Sequence, residues 1–168
     1  SHSELIRLGN TIDSSLEGLA AYKKGIEQFV PSFDKIQEVF SNDRELRDNT
    51  IIFVSNSSTD GVSGAVNHSD YLDGFQGDSQ LKAFRQSIYK FVDGIFSATP
   101  SDIKYFLGKK SNCPVEVVAK ECGSLKPCVH GSDAHKNEEI FEPDQQKYCW
   151  IKADTTFNGL KQILYEPE

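Results

Sequence analysis

The run "TIIFVS", residues 50 to 55, decides the fold. It is continuous, apolar and β-branched, and polar residues bound it on both sides. A strand with one wet face alternates apolar and polar side chains. An unbroken run suits a strand covered on both faces, as in a parallel sheet flanked by helices.

Upstream, "ELIRLG" at 4 to 9 reads as a short helical or extended lead-in closed by Gly9. Leu16, Leu19, Ala20, Ile26 and Phe29 recur at helical spacing and predict a helix over about 14 to 29 with those residues on its buried face, stopped by Pro31. Ser32 can cap a second helix whose buried stripe is Phe33, Ile36, Val39 and Phe40. "NDRELRDN" follows as a charged connection.

Downstream, residues 56 to 79 form a long polar loop rich in Ser, Gly, Asn and Asp. Connections of that length inside a compact domain tend to be functional. Leu81, Phe84, Ile88 and Phe91 predict a helix at 79 to 92, and "GIFSA" at 94 to 98 a brief strand. In "TPSDIKYFLG", Thr99 is a cap, Pro100 the first helical position and Gly108 the stop. "PVEVVAKECG" predicts a short helix ending at Gly123, and "KPCVH" a strand with "GSDAH" as its exit loop. "KYCWIKA" at 147 to 153 reads as extended, and Asp154 or Thr155 caps a last helix carrying Phe157, Leu160, Ile163 and Leu164. Helices alternating with strands imply an α/β layer or barrel segment, helix-rich, within a single domain over 1 to 168.

Composition narrows the function. Hydrophobic residues at 38% and charged residues at 26%, in periodic segments, indicate a globular chain. No apolar run approaches a membrane span and the N-terminus lacks a secretory core, so a cytoplasmic location is expected. A net charge of -7 disfavours a basic groove that holds nucleic acid through its phosphates. Cys113, Cys122, Cys128 and Cys149 lack zinc-ribbon spacing and read as reduced structural thiols, with a Cys122 to Cys128 bridge as the alternative. The chain has no methionine and begins "SHS" just before a helical pattern, which reads as a piece of a longer protein.

One pair stands out chemically. In "HGSDAH", residues 130 to 135, Asp133 and His135 are two apart, so on an extended exit they project to the same side and can converge on one point. A carboxylate with an imidazole suits Zn, Mn or Fe, and the carboxyl end of a strand is where α/β folds build sites. The alternative is a hydrogen-bonded turn in which Asp133 caps local N–H groups. His130 reads as a packed strand residue and His68 as a solvated loop residue. H-x-H, H-E-x-x-H, G-x-S-x-G and P-loop patterns are absent from the sequence.

"HGSDAH" resembles the last metal-binding motif of the PHP (polymerase and histidinol phosphatase) superfamily, in which Asp-x-His supplies two ligands to a metal cluster. "CWIKADTTFNGLKQILYEPE", residues 149 to 168, is similar to the segment that follows this motif in bacterial proteins where a PHP domain precedes an ABC/SMC-like ATPase. "ELIRLG" at 4 to 9 and "YFLGKK" at 105 to 110 fit the same subgroup, and Thr155 stands where that pattern has proline.

The resemblance implies the C-terminal portion of a PHP domain, part of a distorted (β/α)7-type barrel that begins with an H-x-H motif outside this chain. It implies a metal-dependent phosphoesterase with Asp133 and His135 as metal ligands and divalent Zn, Mn or Fe as cofactor. The substrate would carry phosphate, a C-terminal ATPase domain would be the partner, and the parent protein would reach nucleic acid. In that family metals bind phosphate oxygens and activate a water that attacks phosphorus. Asp60, His68 and Lys152 are candidates for substrate contact, against the plainer readings of a polar loop and a solvated lysine. A middle strand of the family ends in a histidine ligand, where this chain has Ser55 and Asn56; that departure implies the alternative of a catalytically degenerate binding or regulatory module. The isolated 168 residues are expected to be weakly active or inactive.

Overall fold

The computed structural model describes residues 1–56, 78–132, 134–143 and 146–167, with the backbone alone of 78–81. Where the sequence reads as one domain, the chain divides into two compact units, Ser1–Asn49 and Thr50–Glu168.

The first unit is helical: α1 (His2–Ile12), α2 (Gly18–Gln28), α3 (Phe33–Asn42) and α4 (Arg44–Asp48). A capping box opens α1, with the Ser1 hydroxyl on the Glu4 amide and the Glu4 carboxylate on the Ser1 amine. The lead-in is thus a full helix. α1 packs against α2 through small residues: a side chain at Gly9 would strike the Ala21 carbonyl, and one at Gly25 the Leu5 carbonyl. Ala21 and Gly25 are the buried residues of α2, while Leu19, Ile26 and Phe29 are exposed. The expected apolar stripe is therefore not the contact face; two backbones in close approach leave no room for it. Ser32 caps α3, accepting from the Lys35 amide at 3.3 Å, yet no residue of α3 is fully buried and Val39 is exposed. The charged connection folds as α4 because Asp43 caps it, accepting from the Leu46 amide at 2.8 Å.

In the second unit, β1 (Phe53–Ser55), β2 (Gly94–Phe96) and β5 (Cys128–Val129) form a parallel sheet in the order β1-β2-β5. This bears out a parallel-sheet strand in "TIIFVS", but the strand is shorter than the apolar run and its residues are half-buried, not covered on both faces. α5 (Asp78–Phe91) connects β1 to β2. α6 (Pro100–Phe106), a small antiparallel pair of β3 (Lys109–Lys110) and β4 (Cys113–Pro114), and α7 (Val115–Cys122) connect β2 to β5. The β3–β4 pair has no sequence signal, since each strand is two residues long. Gly123, with φ 84°, ends α7 as expected.

The core is formed by Ile88, Val92, Ile95, Phe106, Val118 and Cys122, all buried. The ring of Phe53 fills the space above Gly94, its register partner. On the opposite alternation to Ile95, the row Ser55, Phe96 and Val129 runs across the three strands, and Phe96 is 48% exposed. Lys126 is buried, its ammonium donating to the Val92 carbonyl just past α5 at 2.7 Å. α8 (Phe157–Gln162) is capped by Thr156, one or two positions later than expected, through a 3.0 Å bond from the Gly159 amide. Residues 147–153 carry no strand. The described residues make a mixed α/β unit with no closed barrel among them. None of the helices among the described residues is long and apolar enough to cross a membrane.

Candidate functional site

The exit of β5 is the first place where chemistry was expected. His130 follows the strand, half-buried, its Nδ1 3.5 Å from the Gly131 carbonyl oxygen, too long for a strong bond. Asp133 lies outside the described residues, as do Asp60 and His68. His135 is exposed; its backbone amide donates to Glu139 Oε2 at 3.2 Å across a short 3-10 turn, Asn137–Glu139. Ala134 between the two candidate ligands is half-buried, consistent with a packed small residue. Lys152 is exposed on the irregular stretch before α8. Beside it a shallow hollow of about 380 Å³ is lined by Ile151, Ala153, Thr155 and Phe157 among others, without Lys152. Among the described residues no group of three or more His, Cys, Asp or Glu is placed to hold a metal ion.

A second constellation was not foreseen. Asn56 leaves β1, Ser97 leaves β2, Asp102 sits in the first turn of α6 and Tyr89 near the end of α5. Asp102 Oδ2 accepts from Asn56 Nδ2 at 2.9 Å and from Ser97 Oγ at 2.8 Å. Asn56 Oδ1 accepts from the Tyr89 hydroxyl at 2.7 Å, and Ser97 Oγ accepts from the Thr99 amide at 3.2 Å. Ser97 is buried, so its hydroxyl is satisfied on both sides, as burial requires. Burial pushes the Tyr89 phenol up to about 12; it is a hydrogen-bond donor at neutral pH. One carboxylate thereby joins the carboxyl ends of two strands and, through Asn56, a third element.

From this network a cleft of about 450 Å³ opens between α5, α6 and α7. Phe106, Tyr89 and Tyr105 line it together with the charged Lys82, Arg85, Lys110 and Glu121. Glu121 Oε1 pairs with Lys82 at 2.9 Å and Oε2 accepts from the Tyr105 hydroxyl at 2.8 Å. Those bonds, Lys82 first, hold its carboxyl below the usual carboxylate range. Burial, then the bond to Glu121, pushes the Tyr105 phenol well above its ordinary value.

The signals for this cleft were faint in the sequence. Asp102 is indistinguishable there from a first-turn helix acid, and Tyr89 from any helix residue. Asn56 was visible as the residue closing an apolar run, where the resembled family has a ligand, but nothing there pointed to Asp102 or Tyr89 as its partners. Compared with known proteins, the chain matches no family model, no curated protein and no solved structure.

Proposed function

We propose that the Thr50–Glu168 unit is the C-terminal portion of a PHP-type metal-dependent phosphoesterase domain, a segment of a distorted (β/α)7-type barrel whose β5 exit offers Asp133 and His135 as metal ligands. The observation that carries the reading is the sheet itself. β1, β2 and β5 are parallel, stand in chain order and are joined by helical crossovers, and "HGSDAH" leaves the carboxyl end of the last of them. In open and barrel α/β sheets that end is where ligands bind. The exposed Phe96 adds support, because parallel sheets are ordinarily covered on both faces.

The donor set tests the metal. A catalytic zinc site takes about three protein ligands and a water. Asp133 and His135 are two; Asp133 lies outside the described residues, and among the described residues no group of three or more His, Cys, Asp or Glu is placed to hold a metal ion. On this reading the remaining ligands come from a longer protein that begins with the H-x-H motif. No catalytic step is assigned to a side chain of this chain.

A specific observation favours a second reading, a catalytically degenerate module that binds or regulates an ATPase partner. At the strand end where the family has a histidine ligand, the Asn56 amide is engaged on both sides, by Asp102 and Tyr89. It is built into a structural network and not held out to an ion.

The test is the metal content of the longer protein together with its hydrolysis of bis(p-nitrophenyl) phosphate. Under the first reading transition ions co-purify with it, hydrolysis is measurable, and Asp133→Ala and His135→Ala abolish both. Bound metal without hydrolysis selects the second reading. If metal is absent and the Asp133 and His135 variants behave as the parent, the phosphoesterase reading is wrong.

A further inference from the structure

We propose that the cleft between α5, α6 and α7 binds a small organic ligand carrying an oxyanion, phosphate or carboxylate, with Lys110 as its principal anchor. The proposal does not rest on the phosphoesterase reading, since the β5 exit contributes no residue to the cleft.

The lining carries three cations, Lys82, Arg85 and Lys110, against two carboxylates, Asp102 and Glu121, on a chain whose net charge is -7. The carboxylates are already engaged. Glu121 holds Lys82 with one oxygen and the Tyr105 hydroxyl with the other, and Asp102 Oδ2 takes two neutral donors, Asn56 and Ser97.

Lys110 is differently placed. Its ammonium donates to Ser101 Oγ at 2.8 Å and lies 5.8 Å from the centre of the Tyr105 ring. It pairs with no carboxylate among the described residues. An ammonium has three donors, so Lys110 retains charge and donors for an incoming anion. The Tyr89 and Tyr105 hydroxyls point their hydrogens at Asn56 and Glu121, which leaves aromatic rings, with Phe106 behind them, to face the body of a ligand. The volume, about 450 Å³, lies within the usual range of small-molecule sites.

The experiment is a titration of the isotope-labelled 168-residue chain, followed by amide NMR, with AMP, citrate, inorganic phosphate and uncharged adenosine. Saturable shifts at Tyr105, Lys110 and Gln86 are expected with AMP or citrate and not with adenosine, and the stronger of the two assigns the anion as phosphate or carboxylate. Lys110→Gln is expected to weaken binding about tenfold or more, the loss of one charge-assisted hydrogen bond, while Lys110→Arg retains it. Added salt weakens binding to the unmodified chain, which keeps the test valid even if Lys110→Gln were to unfold. The proposal fails if none of the anions gives saturable shifts at these residues. It fails equally if adenosine binds as tightly as AMP, or if a folded Lys110→Gln chain binds unchanged.

Discussion

In the Ser1–Asn49 unit the closest packing is made where side chains are missing, at Gly9, Ala21 and Gly25. In the Thr50–Glu168 unit large side chains, Phe106, Ile95 and Val118, are fully buried. The difference teaches what an apolar pattern can reveal. Counting large apolar residues at helical spacing finds a core of interlocking side chains, because there burial follows size. It misses a contact between two helix backbones, where the buried residues are those with least to bury. On α2 and its C-cap the count selected Leu19, Ile26 and Phe29, all exposed.

The largest expected effect tests the second unit. Phe106 is 1% exposed and packs edge-on against Tyr89 and Tyr105, so Phe106→Ala should destabilise by about 3–5 kcal/mol in urea unfolding. A loss below about 1 kcal/mol would mean the core collapses around the site and is not locked by that ring. Gly25→Leu tests the first unit: with the Leu5 carbonyl against any side chain at 25, overpacking of about 1–3 kcal/mol is expected, read as lost helical signal. Unchanged helicity and stability would dissolve the contrast.

Raising the pH should separate the units by charge. Burial pushes Cys122 up to about 11, and Cys128 and Tyr89 up to about 12; all three lie in the second unit. A raised folded value means the protonated form is favoured in the fold. That stability is complete below the ordinary thiol value of 9.0 and is lost as the pH climbs towards the folded values. The urea midpoint should therefore fall above about pH 9, while in the folded chain the Cys122, Cys128 and Tyr89 signals titrate later than ordinary thiols and phenols. A flat midpoint would show that these groups are solvated.

Smaller effects sharpen the comparison. Asp102→Ala strands the Asn56 amide and the Ser97 hydroxyl and should cost about 1–3 kcal/mol, whereas a loss near zero would mean water replaces the carboxylate. Leu19→Ala, at a position 65% exposed, should change stability by no more than about 0.5 kcal/mol. A core-sized loss there would restore the stripe as the contact face.

Much of the second unit was legible because its signals are local. The β-branched run gave β1, Thr99 with Pro100 gave the start of α6, and Gly123 gave the end of α7. What escaped depends on distant partners. α4 hides in a charged stretch because its one distinguishing residue, Asp43, looks like the rest. The Asn56, Asp102 and Tyr89 network joins residues 33 and 46 positions apart, and no spacing rule reaches that far. The β5 exit was legible as two metal-capable side chains and no further, since two residues at Asp-x-His spacing carry no information about distant ligands.

Phe53 and Gly94 carry a final consequence. The ring of one occupies the volume the other lacks, so the two positions hold a single unit of information written in two places. A side chain can return at 94 only if the ring at 53 moves aside or is lost. Any relative of this chain that keeps the β1–β2 pairing should change the two together or not at all, and a family alignment can be checked for that exchange before any site residue is compared.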